Sequence, residues 1–180
     1  MKRINFLKKK IGVYLTRELL LKSEEYAKLE RPYLLKARKN FTIANLLISI
    51  SDEDELKKTL KLSEDFEMFD WVIIVAYYAM YTSALAALSK LGFKSKNHAA
   101  TLTVLEYYYV HQQKGLETKH LEKLSKAYRL SEDFINKLIR TKTRRETAQY
   151  DATQSISREN AKASLEDADE FITRIEEILD

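Results

Sequence analysis

The stretch Trp71–Leu88, WVIIVAYYAMYTSALAAL, runs for 18 residues without a charge, and any fold the chain adopts must hide it. Its length sits at the lower edge for a membrane span. Tyr77, Tyr78, Tyr81, Thr82 and Ser83 fall in its middle, where hydrocarbon leaves hydroxyls short of partners. No second apolar run accompanies it, so no membrane association is expected. The stretch reads as the central helix of a bundle, apolar all round because other helices cover it on every side.

The rest of the chain agrees with that reading. Three glycines and one proline in 180 residues are too few for the turns of a sheet protein. The expected fold class is therefore all-α, an antiparallel helical bundle of about five helices with an N-terminal helical extension. A chain this long buries a core without covalent staples. It has no cysteine, which excludes disulfides, thiolate metal sites and thiol nucleophiles. A cytoplasmic protein is expected, because Ile11–Leu15 is too short for a signal segment and Arg17 and Glu18 interrupt it.

Residues 1–31 read as a basic extension with one helix over Tyr14–Glu30, and residues 32–180 as the bundle. Pro32 suits the first turn of a helix that fades near Ile50, and Ser51-Asp52-Glu53-Asp54 offers a cap for a short segment over Glu55–Leu62. Leu91-Gly92 closes the apolar helix, and Phe93–Lys96 forms a polar connection. Asn97 or Ser95 caps a helix reaching about Gln113, where Lys114-Gly115 breaks it. Leu116–Tyr128 and Ser131–Tyr150 are expected as two pieces, and Arg158–Leu179 as a final amphipathic helix.

Charge is informative by its placement. The net charge is only +4, yet the first ten residues hold Lys2, Arg3, Lys8, Lys9 and Lys10 with no acid. A second basic cluster spans Lys137 to Arg145, and acids gather along Glu166–Asp180. Such asymmetry can steer an anionic partner, although each cluster alone is also what a solvated helix face looks like.

Several chemistries are excluded. The glycines are too scattered for a phosphate loop, and no serine sits in a glycine-rich elbow. Glu117-Thr-Lys-His120 has the Glu-x-x-His spacing of di-iron bundles, but that chemistry needs a second copy. His120 is then expected on the solvent side, and neither metal nor cofactor is expected. What remains is Tyr77-Tyr78-Ala-Met80 in the apolar helix, Lys96-Asn-His98 at the next helix start, and Arg144-Arg145 to Tyr150 late in the chain. A buried tyrosine hydroxyl needs a partner and so anchors polar networks.

Taken together, these pieces carry a resemblance. Ala76-Tyr77-Tyr78-Ala79-Met80-Tyr81-Thr82, Gly92-x-x-x-Lys96-x-His98 and Arg145-x-x-Ala148-Gln149-Tyr150, followed by an acidic amphipathic helix, resemble the small prokaryotic HEPN proteins over roughly Tyr33 to Leu179. The resemblance implies a helical bundle that dimerises. It also implies a place in toxin–antitoxin or defence-type systems, as an RNase, a nucleotide or RNA binder, or the partner of a nucleotidyltransferase-type antitoxin. The RNase members carry an arginine followed after about four to six residues by histidine. Histidine moves protons at the ribose and leaving oxygens there, and arginine steadies phosphate charge.

Here the arginine motif meets tyrosine instead. Arg145 and Arg144 lead to Tyr150, and a phenol with a pKa near ~10 is a poor base at neutral pH. Thr82 stands where many relatives have histidine, and Gln149 replaces an acid. The expectation is a HEPN homodimer with a degenerate RNase site. Arg144, Arg145, Lys96, His98, Tyr77 and Tyr78 would bind nucleotide, RNA or a partner protein in it. One alternative is an active metal-independent RNase using Arg145, Tyr150 and His98; another is a purely structural dimeric adaptor. The dimer seam is expected on the small residues Ala79, Ser83, Ala86 and Ala87 of the apolar helix.

Overall fold

The computed structural model describes residues 2–112, 115–144 and 157–180. Helix α1, Lys2–Thr16, turns Leu7 and Ile11 into the core, the i, i+4 pair that defines one helix face. The sequence placed a helix over Tyr14–Glu30, and the structure differs there. Glu18 takes a left-handed backbone (φ 53°), which stops α1. Strand β1, Leu20–Lys22, then pairs antiparallel with β2, Phe93–Ser95, with Leu20 opposite Ser95. Its backbone partners lie some 75 residues downstream, so no local periodicity could announce it.

A 3₁₀ turn over Glu24–Leu29, capped by the Ser23 hydroxyl, leads into α2, Glu30–Asp52, with Pro32 in its first turn. Within the expected cap stretch Ser51–Asp54, Glu53 takes the cap position of the next helix without a side-chain bond, and Ser51 and Asp52 turn to other partners. The Ser51 hydroxyl donates to Leu47 O and accepts the Met68 N–H at 2.9 Å, while Asp52 pairs with Arg158 at 2.6 Å. Helix α3 is short, Asp54–Thr59.

The uncharged stretch lies within α4, Phe69–Lys90. By length and composition α4 could cross a membrane, but 78% of its most apolar window is buried in the bundle. It packs on α2 and, further along the chain, on α5 (His98–Leu105), α6 (Thr118–Arg144) and α7 (Arg158–Leu179). Ala79, Ser83, Ala86 and Ala87 are each 0% exposed. They allow close helix approach inside the subunit, so they cannot form the dimer seam expected from the sequence.

Helix α4 ends at Gly92, whose φ of +74° is left-handed. An added Cβ there would come within 3.1 Å of the Ser23 carbonyl oxygen, so glycine serves both the turn and the close approach. The expected polar connection after it is strand β2. Helix α5 starts at the Asn97 cap and continues as a π-helical turn over Glu106–Gln112.

Helix α6 runs as one element, not two. Ser131, expected to cap a second piece, is buried and donates back to Tyr128 O at 2.9 Å. His120 is likewise inside, 3% exposed. Its Nδ1 accepts the Glu117 N–H at 3.0 Å, the return bond of a capping box, and its burial pushes its pKa below the ordinary value. Helix α7 has the predicted bounds and a Ser157 cap. Its apolar stripe Ala161, Leu165, Ala168, Phe171, Ile172 and Ile175 is buried against the core.

Candidate functional site

The start of α5 is fixed tightly. The Asn97 side chain accepts the Ala100 N–H at 2.8 Å, and the Ser95 hydroxyl donates to Asn97 O at 2.8 Å. Of these bonds, the first occupies one of the N–H groups that a helix start otherwise leaves open. Together they aim His98 inward. Lys96, two residues earlier, is held by its backbone N–H on Leu19 O at 2.9 Å while its side chain is exposed. The Asn97 cap between them thus separates these two candidates, with Lys96 exposed and the imidazole turned into the bundle.

His98 sits among three tyrosines. Its ring stacks on Tyr128 of α6, with centroids 4.1 Å apart and planes 12° from parallel. Tyr77 and Tyr81, one turn apart on α4, lie at 6.1 and 6.0 Å, and Tyr77 also meets Tyr128 at 5.6 Å. Tyr78 is on the outward side of α4, 43% exposed, and reaches the cluster only through the Tyr77 ring at 5.3 Å. The Tyr128 hydroxyl donates to the Glu132 carboxylate at 2.6 Å, which fixes the ring that covers the imidazole.

The electrostatics follow from this enclosure. Both His98 ring nitrogens are sealed from solvent, and neither has a hydrogen-bond partner among the described residues. Burial in aromatic surroundings lowers the His98 pKa to about 4, against a smaller opposing pull from Glu132. The imidazole is therefore neutral at pH 7, with one N–H and one lone pair unanswered. Burial also drives the Tyr77 phenol well above its ordinary range, so it stays protonated. An unsatisfied buried polar group costs about 1–3 kcal/mol, and here the cost falls on a group able to face a ligand.

Thr82 stands where the resemblance puts a histidine. Its hydroxyl donates to Tyr78 O at 2.7 Å and is buried against its own helix, so it supplies no proton relay. Arg145 and Tyr150 lie outside the described residues, and Arg144 is the last residue of α6. The structure thus joins Tyr77 and His98 and adds Tyr81, Tyr128 and Glu132, which the sequence reading missed. A signal for them existed: Tyr77/Tyr81 and Tyr128/Glu132 are both i, i+4 pairs. Dividing α6 after Tyr128 hid the second one. No group of three or more metal-ligating side chains occurs among the described residues.

An all-α bundle with a histidine at the start of α5 and the Tyr-Tyr-Ala-Met run on its central helix defines a class. Residues 44–178 match the family model of the HEPN domain, and the chain belongs to that family, which places it among nucleotide- and RNA-related proteins. A UPF0332 protein of Archaeoglobus fulgidus is 30% identical over 131 residues, an alignment covering 68% of this chain and 92% of that protein. Helix α1, β1 and the first part of α2 precede the matched segment.

Proposed function

We propose that the chain is a binding module, taking a nucleotide or an unpaired RNA base at the His98 cluster, with a degenerate RNase site. The observation that carries this is the neutral, unpartnered imidazole enclosed by aromatic rings. A base stacks on such rings, and the free N–H and lone pair can read its polar edge. The same ring is poorly suited to catalysis, since a group with a pKa of about 4 is a weak base at neutral pH. Tyr128 occupies the face a base would use, so binding displaces its ring from the imidazole. A toxin–antitoxin or defence-type setting in a prokaryotic cytoplasm, with a nucleotidyltransferase-type partner, fits this reading.

The test is binding and cleavage in parallel, with chelator present, using adenine nucleotides and short RNAs. Wild type should bind without cleaving, and His98→Ala should bind about tenfold more weakly, the loss of one buried hydrogen bond plus stacking area. Cleavage abolished by Arg145→Ala would make the chain an active RNase instead. Absence of any binding would leave the structural adaptor.

The homodimer belongs to the same proposal, on a different face from the alanine-rich one. Trp71 and Tyr78 on α4 are 47% and 43% exposed, with half-buried Val75 between them, an unusual outward aromatic stripe on a core helix. Light scattering at micromolar concentration should return a dimer, and Trp71→Ser should return a monomer. A wild-type monomer would reject this interface.

A further inference from the structure

We propose that the outward face of α1 is a docking surface for a single strand of nucleic acid. It lies outside the segment that matches the HEPN model and does not depend on the His98 cluster. Helix α1 carries no acid, and its first turn begins Lys2-Arg3. Cations at that end oppose the helix dipole, and the run Lys8-Lys9-Lys10 repels itself, so the lysines work against the fold.

Arg3 is the one α1 cation with an ion pair among the described residues, on Glu106 at 2.6 Å. Lys2 and Lys9, one turn to either side of Phe6 on the same helix face, are exposed. Amid them Phe6 stands 53% exposed, with the Arg3 guanidinium 5.6 Å and the Lys10 ammonium 5.9 Å from its ring centre. An outward aromatic flanked by cations offers stacking to a base and charge to the adjoining phosphates.

An anionic membrane would also attract the charge, but the geometry disfavours it. A helix lying in a lipid interface needs a free apolar face. Leu7 and Ile11, the main apolar face of α1, are 1% and 7% exposed because they hold the helix to the bundle, which leaves only Phe6 and Val13, two turns apart and with Lys9 and Lys10 between them, on the outside. Bases stack on one ring; lipid requires a stripe. Nor does a duplex suit Phe6, since its bases are already stacked.

The experiment is fluorescence anisotropy of a labelled short RNA of mixed sequence against the full chain, across a salt series. Lys2→Gln/Lys9→Gln/Lys10→Gln should weaken binding at least about tenfold and lower the log–log salt slope by about 2, since each phosphate contact to a single strand contributes about 0.7. Phe6→Ala should weaken the strand about tenfold, the loss of one stacked base. A single-stranded DNA should follow RNA in both variants, because stacking and phosphate charge are common to the two. Helical circular dichroism should match wild type, since Leu7 and Ile11 are untouched. The proposal is overturned if the triple variant binds RNA as wild type does, or if Phe6→Ala has no effect. It is overturned equally if these substitutions abolish sedimentation with phosphatidylglycerol vesicles while leaving RNA binding intact.

Discussion

Between pH 7 and pH 4.5 the wild-type protein is expected to lose about 2 kcal/mol of stability that a His98→Phe variant keeps. His98 has an ordinary value of 6.5 and a folded-state value of about 4. Between those two values the unfolded chain binds a proton that the folded chain refuses, so stability falls as pH falls. The contribution is whole above about pH 6.5 and gone by about pH 4. The full shift would be worth about 3 kcal/mol, and about 2 allows for solvent screening of a ring that is only partly enclosed. His120 acts in the same direction through its own burial, so the variant flattens the profile without levelling it. Carboxylates such as Glu106, held low by the Arg3 guanidinium, lose their contribution only at lower pH. Urea midpoints at the two pH values decide the matter, and equal losses in both proteins would remove His98 as the cause. Phenylalanine preserves the stack on Tyr128, so the comparison isolates the proton.

A larger loss is expected for Phe171→Ala. The ring is fully buried on α7, and deleting it leaves a cavity between α7 and the core helices at a cost of about 3–5 kcal/mol. For a chain of this size that lowers the melting temperature by about 10 °C. The polar ties of the same helix matter much less. Arg38 on α2 reaches Asp169, Thr173 and Glu176, yet its side chain is 39% exposed and that of Glu176 30%, so Arg38→Ala should cost no more than about 1 kcal/mol beyond lost packing. Thermal melts of the two variants should therefore separate clearly. A near-equal effect would mean that α7 is held by charge and not by its apolar stripe.

These two sites also mark what a reader of the sequence can and cannot see. Phe171 belongs to a stripe at helical spacing behind a serine cap, and both the bounds and the buried face of α7 follow from local pattern. The same holds for α4, for Gly92 at its end and for Asn97 at the next start, where backbone chemistry names the residue type. Helix α1 and strand β1 were misread because Leu15, Leu19, Tyr26 and Leu29 keep helical spacing across a segment whose conformation is set by a distant strand. Tertiary pairing overrode local periodicity.

At the site the limit was different. His98 and Tyr77 stood out by type, but Tyr128 and Glu132 were separated by a supposed break at Ser131. A serine before two acids reads equally as a helix cap or as a residue bonding back to its own helix. Only the structure shows which hydroxyl partner wins. The polar environment of His98 was therefore expected to be cationic, from Lys96 and the arginines, whereas around the ring itself it is aromatic.

The order in which the chain is made gives the burial of α4 a further meaning. Roughly 70 residues separate the end of α4 from the start of α7, and a ribosome adding about 5–20 residues per second needs on the order of ten seconds to deliver them. During that interval the nascent chain carries a greasy 22-residue helix without the partner that seals one of its sides. Hydrophobic surface of this kind is what chaperones hold and what aggregates form from. The cell must shelter this chain until its last helix arrives, so a slow or truncated translation product should be cleared faster than the finished protein.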